Sequence, residues 1–344
     1  MKYVLEYIWL GGNYEMRSKI KVHETPKSFL CMNDLKNVPA WNYDGSSTSQ
    51  TTGCNSEINL LPVAVYKNPL FKRKPGLESL LVLCETRDKN DQPLKTNNRF
   101  KANKIFEKCR GHEPWFGLEQ EYFILTDEIN AKLKNSSVTQ GQYYCSVGGR
   151  NTFFRHVVDK HMMACIEAGI NISGTNAEVA PYQWEFQIGP CTGIDSGDQM
   201  WVARYLLEKI AEEEGCYIDW SPKPFDNING SGCHSNFSTN GMRDSSEGLS
   251  LILAAITQLS HVHSEHMSVY GDGNAKRMSG QYETATYDTF SFDVDMPVNR
   301  GASIRIGYDT FKEGKGYFED RRPASNCDPY LVTSTIANTC IENI

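Results

Sequence analysis

The stretch PWFGLEQEYFIL, residues 114–125, is the one from which the fold is read. Side chains two apart on an extended strand point the same way, so Glu119 and Glu121 share one face while Leu118 and Tyr122 take the other. A lone pair of carboxylates on a strand is more often a solvated surface than a site. A second strand repeats the pattern, however: in QWEFQIG, residues 183–189, Glu185 stands between Trp184 and Phe186, which must bury. Glu178, in TNAEVAPYQ just upstream, adds another acid. Four glutamates in strand or strand-edge settings repel one another unless a cation lies among them, and hard oxygen donors suit magnesium or manganese better than zinc.

Around these strands the chain is an ordinary globular one: 344 residues, 35 Lys plus Arg against 42 Asp plus Glu, 40% hydrophobic and 22% charged. A pI near 5.7 excludes a protein that works by coating nucleic acid or an anionic membrane. The eleven cysteines are scattered, without a CxxC pair, and read as reduced thiols of a cytoplasmic protein. Glu6 interrupts the apolar run of MKYVLEYIWLGG, which reads as a strand rather than a signal peptide. The longest apolar stretch, Leu249 to Leu259, is about half of the ~20 residues a bilayer span needs, so no membrane partner is expected.

From Tyr3 to about Cys84, short alternating runs broken by Gly, Pro, Asn and Asp predict a small β unit. The turn-rich RDKNDQPLKTNNR, Arg87 to Arg99, predicts a joint, with domains over 1–100 and 101–344. Beyond it strands alternate with three expected helices: FFRHVVDKHMMACIEAG ended by Gly169, GDQMWVARYLLEKIAEEEG ended by Gly215, and EGLSLILAAITQLSHVHSEH. The fold class is α+β.

One histidine stands apart: His234, in NGSGCHSNFST, follows small residues that permit close backbone approach. His156, His161, His261, His263 and His266 lie on or near helices and read as packing or surface residues. The last third is rich in arginine, with Arg277, Arg300, Arg305, Arg321 and Arg322, and Glu319 among them. Guanidinium forks match phosphate and carboxylate oxygens, so this cluster in an acidic protein implies an anionic substrate. Hard-metal ligands together with arginines point to nucleotide-dependent phosphoryl transfer. No Walker A sequence is present and no GxGxxG follows a strand, so a nucleotide would bind without a P-loop.

Six segments, WNYDGSSTSQ, PWFGLEQEYFIL, GTNAEVAPYQWEFQIGP, NGSGCHSNFST, NRGASIRIG and GYFEDRRP, occur in an order and spacing that resembles the eukaryotic-type class of glutamine synthetases, from about Ile8 to Cys340. The resemblance implies a small N-terminal β-grasp domain followed by a catalytic domain in which an antiparallel sheet forms a funnel packed with helices. That funnel holds two or three magnesium or manganese ions. By position, Glu121, Glu178 and Glu185 resemble the ligands of one ion, and Glu119, His234 and Glu319 those of a second, beside the ATP phosphates. Trp115, Asn236, Ser238, Arg305 and Tyr317 match the nucleotide contacts; Asn229, Gly230, Arg300 and Arg321 match those to L-glutamate.

The implied reaction phosphorylates the side chain of glutamate, with Arg300 neutralising the transferred group and Arg277 assisting. Asp44 matches the carboxylate that binds and deprotonates ammonium, and Glu283 the flap glutamate that keeps water from the acyl phosphate. Because Asp44 lies in the small domain, the resemblance implies active sites shared between subunits, in a decamer of two stacked pentamers. Some positions depart from the family pattern. Ile228 replaces a usual Trp, a change expected to reshape the glutamate pocket; Tyr282 precedes the flap glutamate in place of His; and Gly307-Tyr308 removes a charge near the nucleotide. A ligase for a larger amine and a non-catalytic family member are the competing readings. The complete set of acids and arginines opposes the second.

Overall fold

The computed structural model describes residues 2–25, 35–71, 75–135, 138, 140–279 and 285–341. Contacts divide it into two units, one of residues 1–101 with 163–170, the other of residues 102–162 with 171–344. In the first, β1 (Lys2–Leu10), β2 (Met16–Glu24), β3 (Trp41–Asp44), β4 (Glu57–Lys67) and β5 (Leu77–Arg87) form one sheet in the order β2-β1-β5-β4-β3. β1 pairs in parallel with β5, and the other neighbours are antiparallel. This is the small β-grasp arrangement expected. β1 is buried from Tyr3 through Trp9, as a strand covered on both faces should be. The one carboxylate in that run, Glu6, accepts a hydrogen bond from Asn68 Nδ2 at 2.7 Å.

The chain leaves this sheet through α1 (Asn98–Cys109). The second unit is built on an antiparallel sheet ordered β11-β12-β10-β6-β8-β7, with β9 also pairing with β6. Its strands are β6 (Trp115–Leu125), β7 (Ile172–Ala177), β8 (Gln183–Thr192), β9 (Tyr217–Asp219), β10 (Cys233–Ser238), β11 (Ile304–Ile306) and β12 (Phe318–Asp320). The helices are α2 (Asp127–Lys134), α3 (Arg155–Ala168), α4 (Ile194–Glu213), α5 (Asn240–Asp244), α6 (Gly248–His261), α7 (His263–Met267), α8 (Asn274–Arg277), α9 (Tyr308–Glu313) and α10 (Pro329–Ile341).

β6 and β12 divide their side chains by parity. Phe116, Gln120 and Tyr122 bury on the rear face, where Phe116 meets Phe106 of α1 with centroids 6.0 Å apart and Tyr122 meets Trp220 at 5.6 Å. α4 lies behind the sheet and is buried continuously from Ser196 through Leu207. A helix without a polar stripe over that length belongs inside a core. Its Gly197 admits α10: a Cβ there would lie 2.4 Å from the Tyr330 ring.

The helix expected over residues 247–266 is two. Val262, at φ −115 and ψ 23, leaves helical geometry and separates α6 from α7. The break brings His263 to Arg322: Nδ1 accepts from Arg322 Nη1 at 3.0 Å and Nε2 donates to Tyr287 O at 2.9 Å. Guanidinium only donates, so these contacts assign the tautomer. Arg322 also forms a fully buried ion pair with Asp320, 2.7 Å from Nη2 to Oδ2, and Tyr270 OH donates to the same oxygen at 2.8 Å. Removing one partner of such a pair strands the other charge. Asp320→Ala is therefore expected to lower unfolding stability by about 3–5 kcal/mol, read from urea titration of tryptophan fluorescence; a loss below ~1 kcal/mol would show the pair to be solvated.

Candidate active site and metal centre

Strand register assembles the front face of the second sheet. Glu119 of β6 stands opposite His234 of β10 on one side and Gln187 of β8 on the other. Glu121 stands opposite Glu185, which in turn faces Asn176 of β7. On the far side Glu319 of β12 pairs with Asn236 and Arg305. The acids singled out in the sequence thus lie on adjacent strands, and Glu178 joins them from the turn after β7.

Two triplets result. One ligand atom each from Glu119, His234 and Glu319 lie within 4.8 Å of one another, and so do those from Glu121, Glu178 and Glu185. In the first, His234 Nδ1 lies 3.5 Å from both Glu119 and Glu319. Arg321 and Arg305 hold the two oxygens of Glu319 at 2.6 and 2.9 Å, and Asn236 Nδ2 donates to Glu119 at 2.8 Å. Burial works to push the Glu119 carboxyl up, but the His234 hydrogen bond and charge outweigh it and bring it down to about 2.

Among the described residues the second triplet takes its hydrogen bonds from amides, and His234 and Arg277 reach Glu121 only through their charge. Glu121 accepts from the Gly232 amide at 2.7 Å; Glu178 accepts from Asn176 Nδ2 at 3.0 Å and Val179 N at 3.2 Å; Glu185 accepts from the Gln187 amide. Burial first, then the neighbouring carboxylates, push Glu185 up to about 9, and burial pushes Glu121 up to about 7. Glu178 is raised as well, by burial and by Glu119. Three carboxyls that cannot all ionise in one pocket are a fitting receptor for a hard divalent cation, which takes the place of their protons. The close backbone approach expected before His234 is real: a Cβ on Gly232 would sit 3.0 Å from His234 Nε2 and 3.2 Å from Arg277 Nη1.

These residues line a cavity of about 700 Å³ together with Tyr144, Asn229, Arg300, Arg305 and Arg321. A second, more apolar cavity of about 500 Å³ is lined by Trp115, Phe116, Asn236, Ser238, Arg243 and Tyr317, and it shares Glu119 and Gln187 with the first. Trp115 and Tyr317 are 39% and 48% exposed, high for aromatic rings at the wall of a cavity.

The match to the family of such sites extends well beyond geometry. Residues 98–342 match the model of the glutamine synthetase catalytic domain. The chain belongs to the glutamine synthetase family, in its eukaryotic-type class. A relative from Acanthamoeba polyphaga mimivirus is 51% identical over 99% of this chain and 94% of its own length. The glutamine synthetase nodule isozyme of Lupinus luteus is 49% identical over 99% and 95%, and the cytosolic isozyme 1-1 of Oryza sativa 47% over 99% and 94%.

Against the glutamine synthetase expectations, the remaining residues fall as follows. Trp115, Asn236, Ser238 and Tyr317 line the apolar cavity, whereas Arg305 lines the acidic one. Arg300 is exposed at the acidic cavity; Asn229 lines it and donates its amide to Gln140 Oε1 at 2.7 Å, while Gly230 O accepts from Gln183 at 2.9 Å. Arg277 is buried and holds the carbonyls of Arg321 and Arg322 at 3.1 and 2.7 Å. Asp44 belongs to the first unit, where its exposed carboxylate caps a turn; the Ser46, Ser56 and Ser47 side chains hold it well below the usual carboxylate range. Glu283 and Tyr282 lie outside the described residues.

Ile228 is 2% exposed and packs with Phe123, Leu133 and Phe225, while its neighbour Asn229 lines the acidic cavity. Arg243 went unnoticed in the sequence. Its guanidinium lies 3.9 Å from the centroid of Trp115 and donates to Ser238 O and Oγ at 3.0 and 2.9 Å. Gln187 was also missed; only its place two residues beyond Glu185 on the same strand face hinted at it.

The raised carboxyls make metal binding pH-dependent. Without a cation, Glu121 and Glu185 hold protons that the unfolded chain has already released above about 4.5, so they favour the folded state at low pH and lose that effect as pH climbs through about 7 and about 9. A cation must displace those protons. The rise in thermal midpoint caused by Mn2+ is therefore expected to grow from pH 6 to pH 9, and Glu185→Gln to flatten the trend; a pH-independent shift would remove the second triplet as the binding site.

Proposed function

We infer that this chain is an ATP-dependent glutamate–ammonia ligase, which phosphorylates the side-chain carboxylate of L-glutamate and lets ammonia displace phosphate, giving glutamine, ADP and phosphate. The observation that carries the reading is the junction at Glu119 and Gln187 between an apolar cavity and an arginine-rimmed acidic one. Adenine fits the first and a triphosphate with an amino acid fits the second.

Trp115 and Tyr317 offer stacking surface for the base, and Asn236 and Ser238 polar contacts beside it. Glu121, Glu178 and Glu185 would hold one magnesium or manganese ion, and Glu119, His234 and Glu319 another. Bound there, the cations offset triphosphate charge and polarise the transferred phosphoryl group. Arg321 Nε is buried with no hydrogen-bond partner among the described residues, which suits it to a substrate carboxylate at the wall formed with Asn229 and Gly230. Arg300, exposed at the cavity, would neutralise the phosphoryl oxygens, with Arg277 acting behind it on the Arg321 backbone.

Ammonium lacks a lone pair for attack, so a carboxylate must bind it and take its proton. We assign this to Asp44, which stays ionised under its serine hydrogen bonds. We carry Glu283 over as the residue that shields the acyl phosphate from water. Asp44 would serve a neighbouring subunit, in rings forming a decamer of two pentamers. We place the enzyme in the cytoplasm; among the described residues no helix is long and apolar enough to cross a membrane.

Phosphate release should require glutamate, ATP, magnesium and ammonium together, each omission abolishing it. Release that proceeds with a polyamine but not with ammonium would replace this reading by an amine ligase. Asp44→Ala should remove ammonium-dependent turnover by about 10²-fold or more while equilibrium ATP binding persists, and unchanged glutamine formation would overturn the role of Asp44. Trp115→Ala should raise KM for ATP with little change in kcat, since it removes binding common to ground and transition states.

A further inference from the structure

Arg204 sits inside α4, 3% exposed. A buried guanidinium normally faces a carboxylate, because its charge is costly to take out of water. Here, among the described residues, its hydrogen bonds to oxygen all go to neutral groups: Nε and Nη2 to Gln120 Oε1 at 2.9 and 2.5 Å, Nη1 to Cys327 O at 2.9 Å, and Nη2 to Ser325 O at 3.0 Å. The rings of Trp201 and Trp220 flank it with centroids 4.9 and 5.6 Å away.

Gln120 is fully buried and lies between Glu119 and Glu121, pointing to the opposite face of β6. Its amide donates to the carbonyl of Glu121 at 2.8 Å and to Ser325 O at 3.0 Å. The segment Pro323–Cys327, which continues from β12, in turn lies along the approach to His234. Cys233 N donates to Pro323 O at 2.9 Å, Ser325 N to Ser231 O at 3.1 Å, and Gly232 bridges Ala324. Gly232 is the residue whose amide reaches Glu121 Oε2.

One guanidinium therefore ties, from behind, β6 between Glu119 and Glu121 to the segment that follows Glu319 on β12, and that segment is in turn bonded to the residues leading into His234. We propose that Arg204, acting through Gln120, is the positioning residue of the metal centre: it sets the mutual spacing of those ligands without touching the cavity. The proposal rests on the reading that the triplets hold divalent cations. A planar five-donor fork can span Gln120, Ser325 and Cys327 at once, whereas an ammonium of the same charge cannot. Geometry, not charge, is then the property that matters, and Lys should fail as a substitute.

The test measures Mn2+ binding by calorimetry on the purified full chain, beside the metal-free thermal midpoint and kcat and KM, for the wild type, Arg204→Lys, Gln120→Met and the double variant. Outer partners of metal ligands are worth about 10–100-fold in affinity. Each single variant should weaken Mn2+ by about tenfold or more and lower kcat more than it raises KM for ATP, and the double variant should be no worse than the weaker single, because both remove one linkage. Gln120→Met leaves no acid or base changed, so it decides the matter if Arg204→Lys does not fold. A folded variant with wild-type Mn2+ affinity, its midpoint merely lowered, overturns the proposal and makes Arg204 a core residue only. Failure of the wild type itself to bind Mn2+ sinks instead the metal reading beneath it.

Discussion

Glu121 and Glu185 face each other across hydrogen-bonded strands, and everything around them answers to that repulsion. Like charges directly opposite on a sheet are destabilising, more so when buried. The structure relieves it unequally. Around Glu319 and Glu119 it places His234, Arg305 and Arg321, so that half of the centre is close to neutral as it stands. Around Glu121, Glu178 and Glu185 the hydrogen bonds come from amides, the charges of His234, Arg277 and Arg321 do not outweigh burial, and neutrality there comes from protons or from a cation. The contrast separates a triplet that can relax when empty from one whose ionised form needs a metal.

The sheet acts as a partition between chemistry and support. On β6, Glu119 and Glu121 look into the cavity while Gln120 is clamped from the helices; on and just beyond β12, Glu319 and Arg321 look into it while Asp320 and Arg322 are locked in a buried network with His263 and Tyr270. Neighbouring residues thus supply ligand and anchor in alternation. A slip of one residue would exchange the two sets, driving the ligands into the core, which is why register is so firmly held by bonds on the rear face.

The apolar and acidic cavities meet at residues belonging to both, Glu119 and Gln187. An amphiphilic co-substrate such as a nucleoside triphosphate requires this: stacking surface for the base and, within its own length, cations for its phosphates. Arg243 extends the same logic, since a guanidinium held by Ser238 lies against the Trp115 ring.

Much of this was legible beforehand for a local reason. Strand parity made Glu119 and Glu121 share a face, the small residues before His234 announced close backbone packing, and hard oxygen donors announced a divalent cation. The allocation of six ligands to two triplets came from motif resemblance instead, not from spacing. Other features depended on partners well beyond local range, from 14 positions away for Arg305 and Glu319 to 84 for Arg204 and Gln120, which no local pattern records. Those were the opposition of Glu121 to Glu185, the pairing of Arg305 with Glu319, the burial of Ile228, the break at Val262 and the hold of Arg204 on Gln120. Sequence alone determined which side chains each strand turns together, because that follows from backbone geometry within a few residues. Tertiary structure decided which strands lie side by side and in what register, because that is settled by packing and hydrogen bonding between segments distant along the chain.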